Sequence, residues 1–205
     1  MKLYFTKGAC SLAVRIVINE IGVDCTYESV NLQAKKTESG KNYLEINKKG
    51  AVPALQTDKG EILTENAVIL QYLADTYEAN KLLPPLHDFE RYRVLECVNY
   101  ITTEIHKTLG ALFNPAMTSE IREKFTLPTL KTKFNYLNSL LDGQPYLCGN
   151  HLTLPDAYLF VMLTWTFHFK IDLQEWPNLV KHFKKLSQHP SVVKSLQEEG
   201  IELAG

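Results

Sequence analysis

The first half of the N-terminal region alternates short apolar runs with one helical stretch. The run KLYF predicts a strand, and the apolar positions from Leu12 to Ile21 recur at helical spacing and stop at Gly22. The segment CTYESVNL then alternates β-branched or aromatic residues with polar ones, which is the pattern of a strand. This order predicts a β-α-β unit, and a polar connection follows it.

A second group of elements begins after residue 50. The segment AVPALQTDKGEILTEN contains two short apolar runs on either side of Asp58-Lys59-Gly60, which is a hairpin signal. The segment AVILQYLADTY returns to helical spacing, so this part reads β-β-α. Residues 1–80 are therefore predicted to form a small mixed sheet covered by helices, an α/β domain.

The remainder of the chain has a helical pattern. The pair Pro84-Pro85 cannot continue a helix and predicts a stiff connector, so we place a domain boundary there and expect an all-α domain over 87–205. In HLTLPDAYLF, Thr153 is a predicted N-cap and Asp156 occupies the third helical position. The predicted helices span 88–113, 119–142, 154–168, 177–188 and 190–199.

Charge and hydropathy exclude several classes of function. The 205 residues include 22 basic and 23 acidic side chains, without the basic excess typical of proteins that bind nucleic acid. No apolar run approaches the roughly 18 residues that span a bilayer. The apolar segment before Lys7 is too short to predict a signal peptide. We therefore expect a cytoplasmic protein with neither a nucleic-acid nor a membrane partner.

The four cysteines are widely spread and form no C-x-x-C pair. This spacing predicts neither a metal site nor a compact disulfide framework, so the thiols are expected to be reduced. Cys25, Cys97 and Cys148 stand in apolar surroundings and are predicted to be structural.

Cys10, in FTKGACSLAVR, is a candidate for chemistry. Ala13 stands where a dithiol redox protein would have its second cysteine, so the natural partner of a reactive Cys10 would be an external thiol. The predicted helix opens at Ser11, which directs the positive end of its dipole at the sulfur. That effect is worth ~0.3–1 kcal/mol, less than the roughly 1.4 kcal/mol of a tenfold shift towards thiolate. Activation therefore needs a second donor or cation; the alternative is a buried, inert cysteine.

Two further motifs of the first domain admit both a structural and a binding role. At Val52-Pro53, base rates favour a trans proline at a strand start, whereas a cis bond would leave Val52 to pair with an extended peptide. In TEN, Asn66 suits a helix cap. Alternatively, Asn66 and the helix N–H groups bind a carboxylate while Glu65 binds an ammonium group.

A polar face is predicted on the first long helix of the second domain. In NYITTEIHK, Asn99, Thr103 and His106 recur at helical spacing and could face a cleft. A histidine in such a position is more often a partly buried helix residue than a catalytic one, and this alternative applies to His106.

Together these motifs resemble a known family. Cys10 at the start of the first helix, GAVPAL, ILTENAVILQYLAD and LTLPDAYLF resemble a glutathione transferase, and the resemblance covers the whole chain. AKKTESGKNYLEINKKG, with NYITTEIHK, resembles the bacterial beta class. The resemblance implies a thioredoxin-like α/β N-terminal domain, an all-α helical-bundle C-terminal domain and a homodimer.

The resemblance also implies the site. Cys10 would contact the glutathione sulfur and form a mixed disulfide with it, and His106, close to that sulfur, would be the second catalytic residue. Lys35 would reach the glycyl end of glutathione, and Val52 before a cis Pro53 would pair with its cysteinyl backbone. Glu65 and Asn66 would hold the γ-glutamyl group. The implied glutathione-binding residues are Cys10, Lys35, Val52, Pro53, Glu65, Asn66, Asn99, Thr103, Glu104 and His106.

Three positions depart from the family pattern. Phe5 stands where many relatives have tyrosine, Asn66 where serine is common, and Arg15 where a histidine sometimes occurs. The change at Phe5 removes a hydroxyl donor near the expected thiol.

The expected activity is conjugation of the glutathione thiol to a small hydrophobic electrophile, with glutathione as co-substrate and neither cofactor nor metal. The electrophile would sit near HKTLGALFNPAM and WTFHF, although these stretches could equally be core. A second enzymatic reading is thiol–disulfide exchange through Cys10, with glutathione as the resolving thiol. The alternative is a non-catalytic binding or regulatory protein of the same fold.

Overall fold

The computed structural model describes residues 1–203, which divide into two compact units. The first unit contains Met1–Asn80 together with His189–Leu203, and the second contains Lys81–Gln188. Among the described residues, every helix falls short of the length and apolarity that a bilayer crossing requires.

The first unit is built on a mixed sheet that, over residues 1–203, has five strands in the order β3-β2-β1-β4-β5. Strands β1 and β2 are parallel, as the predicted β-α-β unit requires, and the other pairs are antiparallel. The predicted hairpin between β4 and β5 is confirmed; Gly60 in its turn has φ 83°. The strands are β1 (Lys2–Phe5), β2 (Thr26–Asn31), β3 (Lys36–Thr37), β4 (Ala54–Gln56) and β5 (Ile62–Thr64).

Helices α1 (Ser11–Ile21), α2 (Tyr43–Ile46) and α3 (Asn66–Thr76) complete the N-terminal part of this unit. Helix α1 connects β1 to β2, packs against α3 and ends at Gly22, as predicted. The connection that looked merely polar contains β3 and the one-turn helix α2. Tyr43 fixes α2, since its side chain is fully buried and its hydroxyl donates to the Ala51 carbonyl at 2.9 Å.

The second unit is helical, as predicted. Helix α8 forms its core and packs against α4 and α9, and the predicted capping box of Thr153 and Asp156 opens α8. Within the two longest predicted helices, π-helical segments separate α4 from α5 and α6 from α7. The elements are α4 (Phe89–Tyr100), a π segment (Ile101–His106), α5 (Lys107–Ala111), α6 (Ser119–Ile121), a second π segment (Arg122–Thr126), α7 (Leu127–Leu140), α8 (Leu154–His168) and α9 (Pro177–Ser187).

The last helix, α10 (Pro190–Glu199), belongs to the first unit, whereas the sequence-based division assigned it to the all-α domain over 87–205. It packs against α1, and Asn19 Nδ2 donates to Ser195 Oγ at 2.8 Å. The sequence predicted the helix α10 itself. It did not predict the packing of α10 against α1, because α1 lies more than a hundred residues earlier in the chain.

Glu28 on β2 gives the first unit an acid-sensitive contact. Its carboxylate accepts hydrogen bonds from Ser39 and, at 3.0 Å, from Lys2 Nζ. The Ser39 bond is the main reason why the pKa of Glu28 is lowered to about 2. A glutamate carboxyl of the unfolded chain has a pKa of about 4.3. The stabilisation of the folded state by these hydrogen bonds is therefore fully present above that pH, and it disappears as the pH falls towards the native pKa of Glu28.

We therefore expect Glu28→Gln to lower the free energy of unfolding at neutral pH and to cost progressively less as the solution is acidified through the carboxyl range. Urea unfolding at several pH values measures this difference. If the difference in the free energy of unfolding between the variant and the wild type stays constant down to the native pKa of Glu28, the stabilising role of its carboxylate is contradicted.

Candidate functional site

Cys10 immediately precedes α1 and occupies its N-cap position. Its Sγ lies 3.4 Å from the Val52 carbonyl oxygen, to which the thiol donates, and the residue is 7% exposed. The Val52-Pro53 bond is cis, so the expectation of a trans bond from base rates is wrong. The structure thus brings the predicted thiol beside the chain that leads into β4.

The segment Lys49–Pro53, which we call the 49–53 loop, connects several predicted site residues. Lys35 Nζ donates to the Gly50 carbonyl at 2.8 Å, and Gly50 has φ 61°. A Cβ at this glycine would lie 3.1 Å from Lys35 Nζ, so the glycine permits the close approach. Because Cys10 contacts the same loop through Val52, the loop connects Cys10 to Lys35.

Lys49, at the start of this loop, was not predicted from the sequence. Its ammonium group forms an ion pair with the Glu65 carboxylate and donates to Thr64 Oγ1 at 2.9 Å. Both charged side chains are more than half exposed, so the pair is accessible to a ligand. An incoming ammonium group would compete with Lys49 for Glu65.

Glu65 and Asn66 stand where β5 passes into α3. Glu65 has φ 75° and ψ 117°, a backbone conformation that side-chain-bearing residues rarely adopt and that concentrates at functional sites. Asn66 is 6% exposed, and neither polar atom of its side chain has a hydrogen-bond partner among the described residues. The prediction that Asn66 caps the helix is wrong, because Glu65 is the N-cap and Asn66 is the first helical residue.

An unpaired buried amide costs about 1–3 kcal/mol, and such groups call for an explanation in a native protein. At Asn66 the amide lies beside the N–H groups that open α3, which favour an anion. The arrangement suits a carboxylate that accepts from both the amide and the helix end.

A buried network fixes the loop that precedes Cys10. The Gly8 N–H donates to Glu199 at 2.9 Å, and the other oxygen of this carboxylate accepts from Arg15 Nε at 3.1 Å. Burial raises the pKa of Glu199. Arg15 is 2% exposed and its guanidinium carbon lies 4.5 Å from the centre of the Phe5 ring. Two of the departures from the family pattern therefore pack together, the buried Arg15 against the partly buried Phe5.

In the second unit, Asn99 and Thr103 lie on exposed helix surface, and Thr103 Oγ1 donates to the Asn99 carbonyl at 3.1 Å. The π segment Ile101–His106 interrupts the regular spacing on which we expected Asn99, Thr103 and His106 to share one face. Segments of this kind are frequent at functional sites.

Glu104, within this π segment, is matched by a cation that the sequence pattern did not reveal. Lys133 Nζ lies 2.8 Å from the Glu104 carboxylate and donates to the Glu104 backbone carbonyl at 3.1 Å. The hydrogen bond from Lys133 lowers the pKa of Glu104. The carboxylate is therefore held in its charged form near the helix surface.

His106, at the end of the π segment, is oriented by α8. Its Nδ1 lies 2.5 Å from the hydroxyl of Tyr158, which is fully buried, and its ring packs edge-on against Trp165 at 5.1 Å. Trp165 in turn packs against Phe113, which is half exposed. These two aromatic residues lie within the stretches that we expected to contact an electrophile.

The sequence contained a signal for Tyr158 that we did not use. Tyr158 lies two residues after the capping-box residue Asp156 on a helix that is buried on nearly all sides, and a buried tyrosine hydroxyl normally finds a partner. Among residues 1–203, His, Cys, Asp and Glu side chains form no group of three or more that could hold a metal ion.

Comparisons with known proteins agree with this fold. The family models of the glutathione S-transferase N-terminal and C-terminal domains match residues 8–81 and 100–190. Glutathione S-transferase GstA of Escherichia coli O157:H7 is 39% identical over 202 residues, which are 98% of this chain and 100% of that protein. The chain therefore belongs to the glutathione S-transferase family.

Solved structures indicate the class within the family. A sphingomonad glutathione S-transferase complexed with glutathione is 38% identical with a TM-score of 0.93, covering 98% of this chain and 100% of that one. A bacterial beta-class enzyme from Sphingomonas chungbukensis is 37% identical with a TM-score of 0.93 and the same coverage. The structural neighbours thus include the beta class that the motifs indicated.

Proposed function

We propose that this protein is a glutathione transferase that binds glutathione on its first unit and supports attack of the glutathione thiolate on small hydrophobic electrophiles. The observation that most supports this is the 49–53 loop, which contacts Cys10, Lys35 and Glu65. These contacts bring one thiol, two lysine cations and one carboxylate to the same loop.

The chemistry of a γ-glutamyl tripeptide suits this surface. Its glycyl carboxylate pairs with Lys35, and its cysteinyl backbone pairs with Val52 before the cis Pro53, as an added strand does. Its γ-glutamyl ammonium group pairs with Glu65, and the adjacent carboxylate accepts from Asn66 and the α3 N-terminus. The proposal accounts for the unpaired Asn66 amide and for the exposed Lys49–Glu65 pair.

In the conjugation reaction the protein positions the sulfur and stabilises its anion, since a thiolate is already a strong nucleophile. Cys10 borders the sulfur at the α1 N-terminus. His106 stays, as the resemblance implies, the proposed second donor, with Asn99, Thr103 and Glu104 on the helical side of the ligand. Phe113 offers exposed aromatic surface to a hydrophobic electrophile.

Thiol–disulfide exchange is a second candidate, favoured by the position of Cys10 at the N-terminus of α1. The Cys10 thiolate attacks the glutathione sulfur of a mixed disulfide and expels the other thiolate. A second glutathione thiolate then attacks the Cys10–glutathione disulfide. This step releases glutathione disulfide and regenerates the Cys10 thiolate.

Replacing Cys10 with alanine separates the two activities. We expect exchange with a glutathionylated substrate to fall at least a hundredfold, because the nucleophile is gone, and conjugation of an aryl halide to stay within a few-fold of wild type. Cys25→Ala is the matched control and should change neither rate. Undiminished exchange in Cys10→Ala would make Cys10 a spectator. Failure of the wild type to bind a glutathione-affinity column or to conjugate would favour the non-catalytic alternative.

Tyr158→Phe tests the proposed role of His106. Loss of the hydroxyl frees the imidazole from its fixed orientation, so we expect the kcat of conjugation to fall about tenfold, equivalent to about 1.4 kcal/mol, with the KM for glutathione nearly unchanged. The control Tyr92→Phe removes a hydroxyl from a side chain that is 55% exposed and should leave kcat unchanged. A rise in KM at constant kcat would show that Tyr158 acts on binding instead.

The homodimer and the absence of a cofactor other than the co-substrate stay predictions that rest on the resemblance, and the cytoplasmic location stays a prediction from the sequence.

A further inference from the structure

Cys97 and Cys148 form a thiol pair within the second unit. Cys97 lies on α4 and is 7% exposed, whereas Cys148 is only partly buried in the turn bridged by Tyr146 and Gly149. Interaction with the Cys148 thiol is the largest cause of the raised pKa of Cys97, so the two side chains are neighbours. Their separation along the chain gave no sign of this proximity, and the interpretation of both as structural cysteines stays a prediction.

Both thiols border one cavity. It has a volume of about 730 Å³, and its wall includes Arg93, Tyr100 and Tyr136 as well as the two cysteines. The Cys148 thiol donates to the Arg93 carbonyl oxygen at 3.9 Å, and Arg93 lies one helical turn before Cys97 on α4. Because both thiols line the cavity, a small disulfide compound can approach the more exposed sulfur, that of Cys148, from it.

We propose that Cys97 and Cys148 are a redox modification site, at which a low-molecular-weight disulfide such as glutathione disulfide converts the two thiols into an intramolecular disulfide. The site belongs to a different unit from Cys10 and does not rest on the function proposed above.

The surroundings of the two thiols set the order of the steps. Interaction with the Cys148 thiol, and then burial, raise the pKa of Cys97, so Cys97 keeps its proton and is the poorer nucleophile. Thiolates are the attacking species in exchange, and attack also requires access to the sulfur. Cys148 is the more exposed of the two thiols and is therefore the first nucleophile.

The reaction is balanced by one molecule of glutathione disulfide. The Cys148 thiolate attacks one of its sulfurs, forming a Cys148–glutathione disulfide and releasing one glutathione thiolate. Cys97 then loses its proton to that thiolate and attacks the Cys148 sulfur, which releases the second glutathione. Two protein thiols are oxidised and one glutathione disulfide is reduced to two glutathione molecules. The turn that carries Cys148 supplies the closing movement, since loops move more readily than helices.

The test incubates the folded full-length protein with glutathione disulfide, blocks remaining thiols by alkylation and maps the peptides without reduction. We expect a cross-linked pair of peptides containing Cys97 and Cys148, lighter by two hydrogen atoms than the separate peptides, and the loss of two thiols per chain beyond any loss at Cys10 or Cys25. Repeating the experiment in the Cys10→Ala/Cys25→Ala protein should give the same cross-link.

Single variants separate the roles of the two thiols. Cys97→Ser should accumulate a stable glutathione adduct on Cys148 because the resolving thiol is missing, and Cys148→Ser should leave Cys97 reduced. Three results would overturn the proposal in the unsubstituted protein: both thiols stay reduced, Cys148 carries glutathione without any cross-link, or the cross-link forms only in urea.

Discussion

Replacing Asp156 with alanine is expected to lower the free energy of unfolding of the second unit by about 3–5 kcal/mol, because several buried groups lose their hydrogen-bond acceptor at about 1–3 kcal/mol each. Asp156 is fully buried and one of its oxygens accepts from the Leu147 N–H at 2.8 Å and lies 2.8 Å from His182 Nε2. The other oxygen accepts from the Thr153 N–H and hydroxyl at 2.9 and 2.6 Å.

The cost is large because the substitution leaves all these partners buried. The other ring nitrogen of His182 already has no hydrogen-bond partner among the described residues, so the imidazole would lose its hydrogen bond to Asp156 and gain none in return. Urea unfolding followed by tryptophan fluorescence measures the effect, since Trp165 and Trp176 both lie in the second unit. The control Asp142→Ala alters an exposed acid and should cost less than about 0.5 kcal/mol. Equal costs for the two variants would contradict the account of α8.

Replacing Arg15 with methionine is also expected to lower the free energy of unfolding by about 3–5 kcal/mol, because it leaves a buried carboxylate without its cation. Glu199 has a fully buried side chain, and Arg15 also pairs with Glu198 at 3.2 Å. Glu199 holds the Gly8 N–H, two residues before Cys10, so the loss extends to the loop that positions the thiol.

The double variant Arg15→Met/Glu199→Gln is the matched control. The glutamine removes the stranded charge but keeps an acceptor for Gly8, so the double variant should recover part of the stability lost in Arg15→Met. In the single variant the already raised pKa of Glu199 rises further, so the deficit in unfolding free energy should be larger at pH 8 than at pH 5. A double variant less stable than Arg15→Met, or a deficit independent of pH, would show that the ion pair is not the source of the cost.

Local patterns predicted most of the elements, because those elements end at residues with a local physical role. Gly22 ends α1 with φ 78°, and Thr153 with Asp156 starts α8. The one-turn helix α2 and the two-residue strand β3 were missed because no periodicity can develop over so few residues. The π segment at Ile101–His106 was missed because the apolar spacing there still resembles that of an α-helix.

For the candidate site, the sequence indicated the residues proposed to contact the ligand but not the residues that position them. Cys10 was recognisable from the sequence because its place before a helix is a local feature. Lys49, Tyr158 and Glu199 were not, because each acts through a partner distant in sequence: Glu65, His106 and Arg15. Glu199 illustrates the limit most clearly, since its helix looks like any other helix of the second half until its contact with α1 is known.

Asn66 is the residue at which stability and the proposed binding are expected to separate. Its side-chain amide makes no hydrogen bond in the described structure, so Asn66→Ala removes an unpaired polar group along with some packing, and the free energy of unfolding should change by less than about 1 kcal/mol. The same substitution removes a proposed partner of the γ-glutamyl carboxylate. The exposed Asn80, in the same unit, offers the control Asn80→Ala.

Calorimetric titration of glutathione into the wild type, Asn66→Ala and Asn80→Ala tests the central claim, that the first unit binds glutathione at the start of α3. We predict a Kd for Asn66→Ala at least tenfold higher than for the wild type, from the loss of a hydrogen bond to a charged group worth about 1.5–3 kcal/mol, with Asn80→Ala unchanged. Equal affinity of all three proteins for glutathione would contradict the claim.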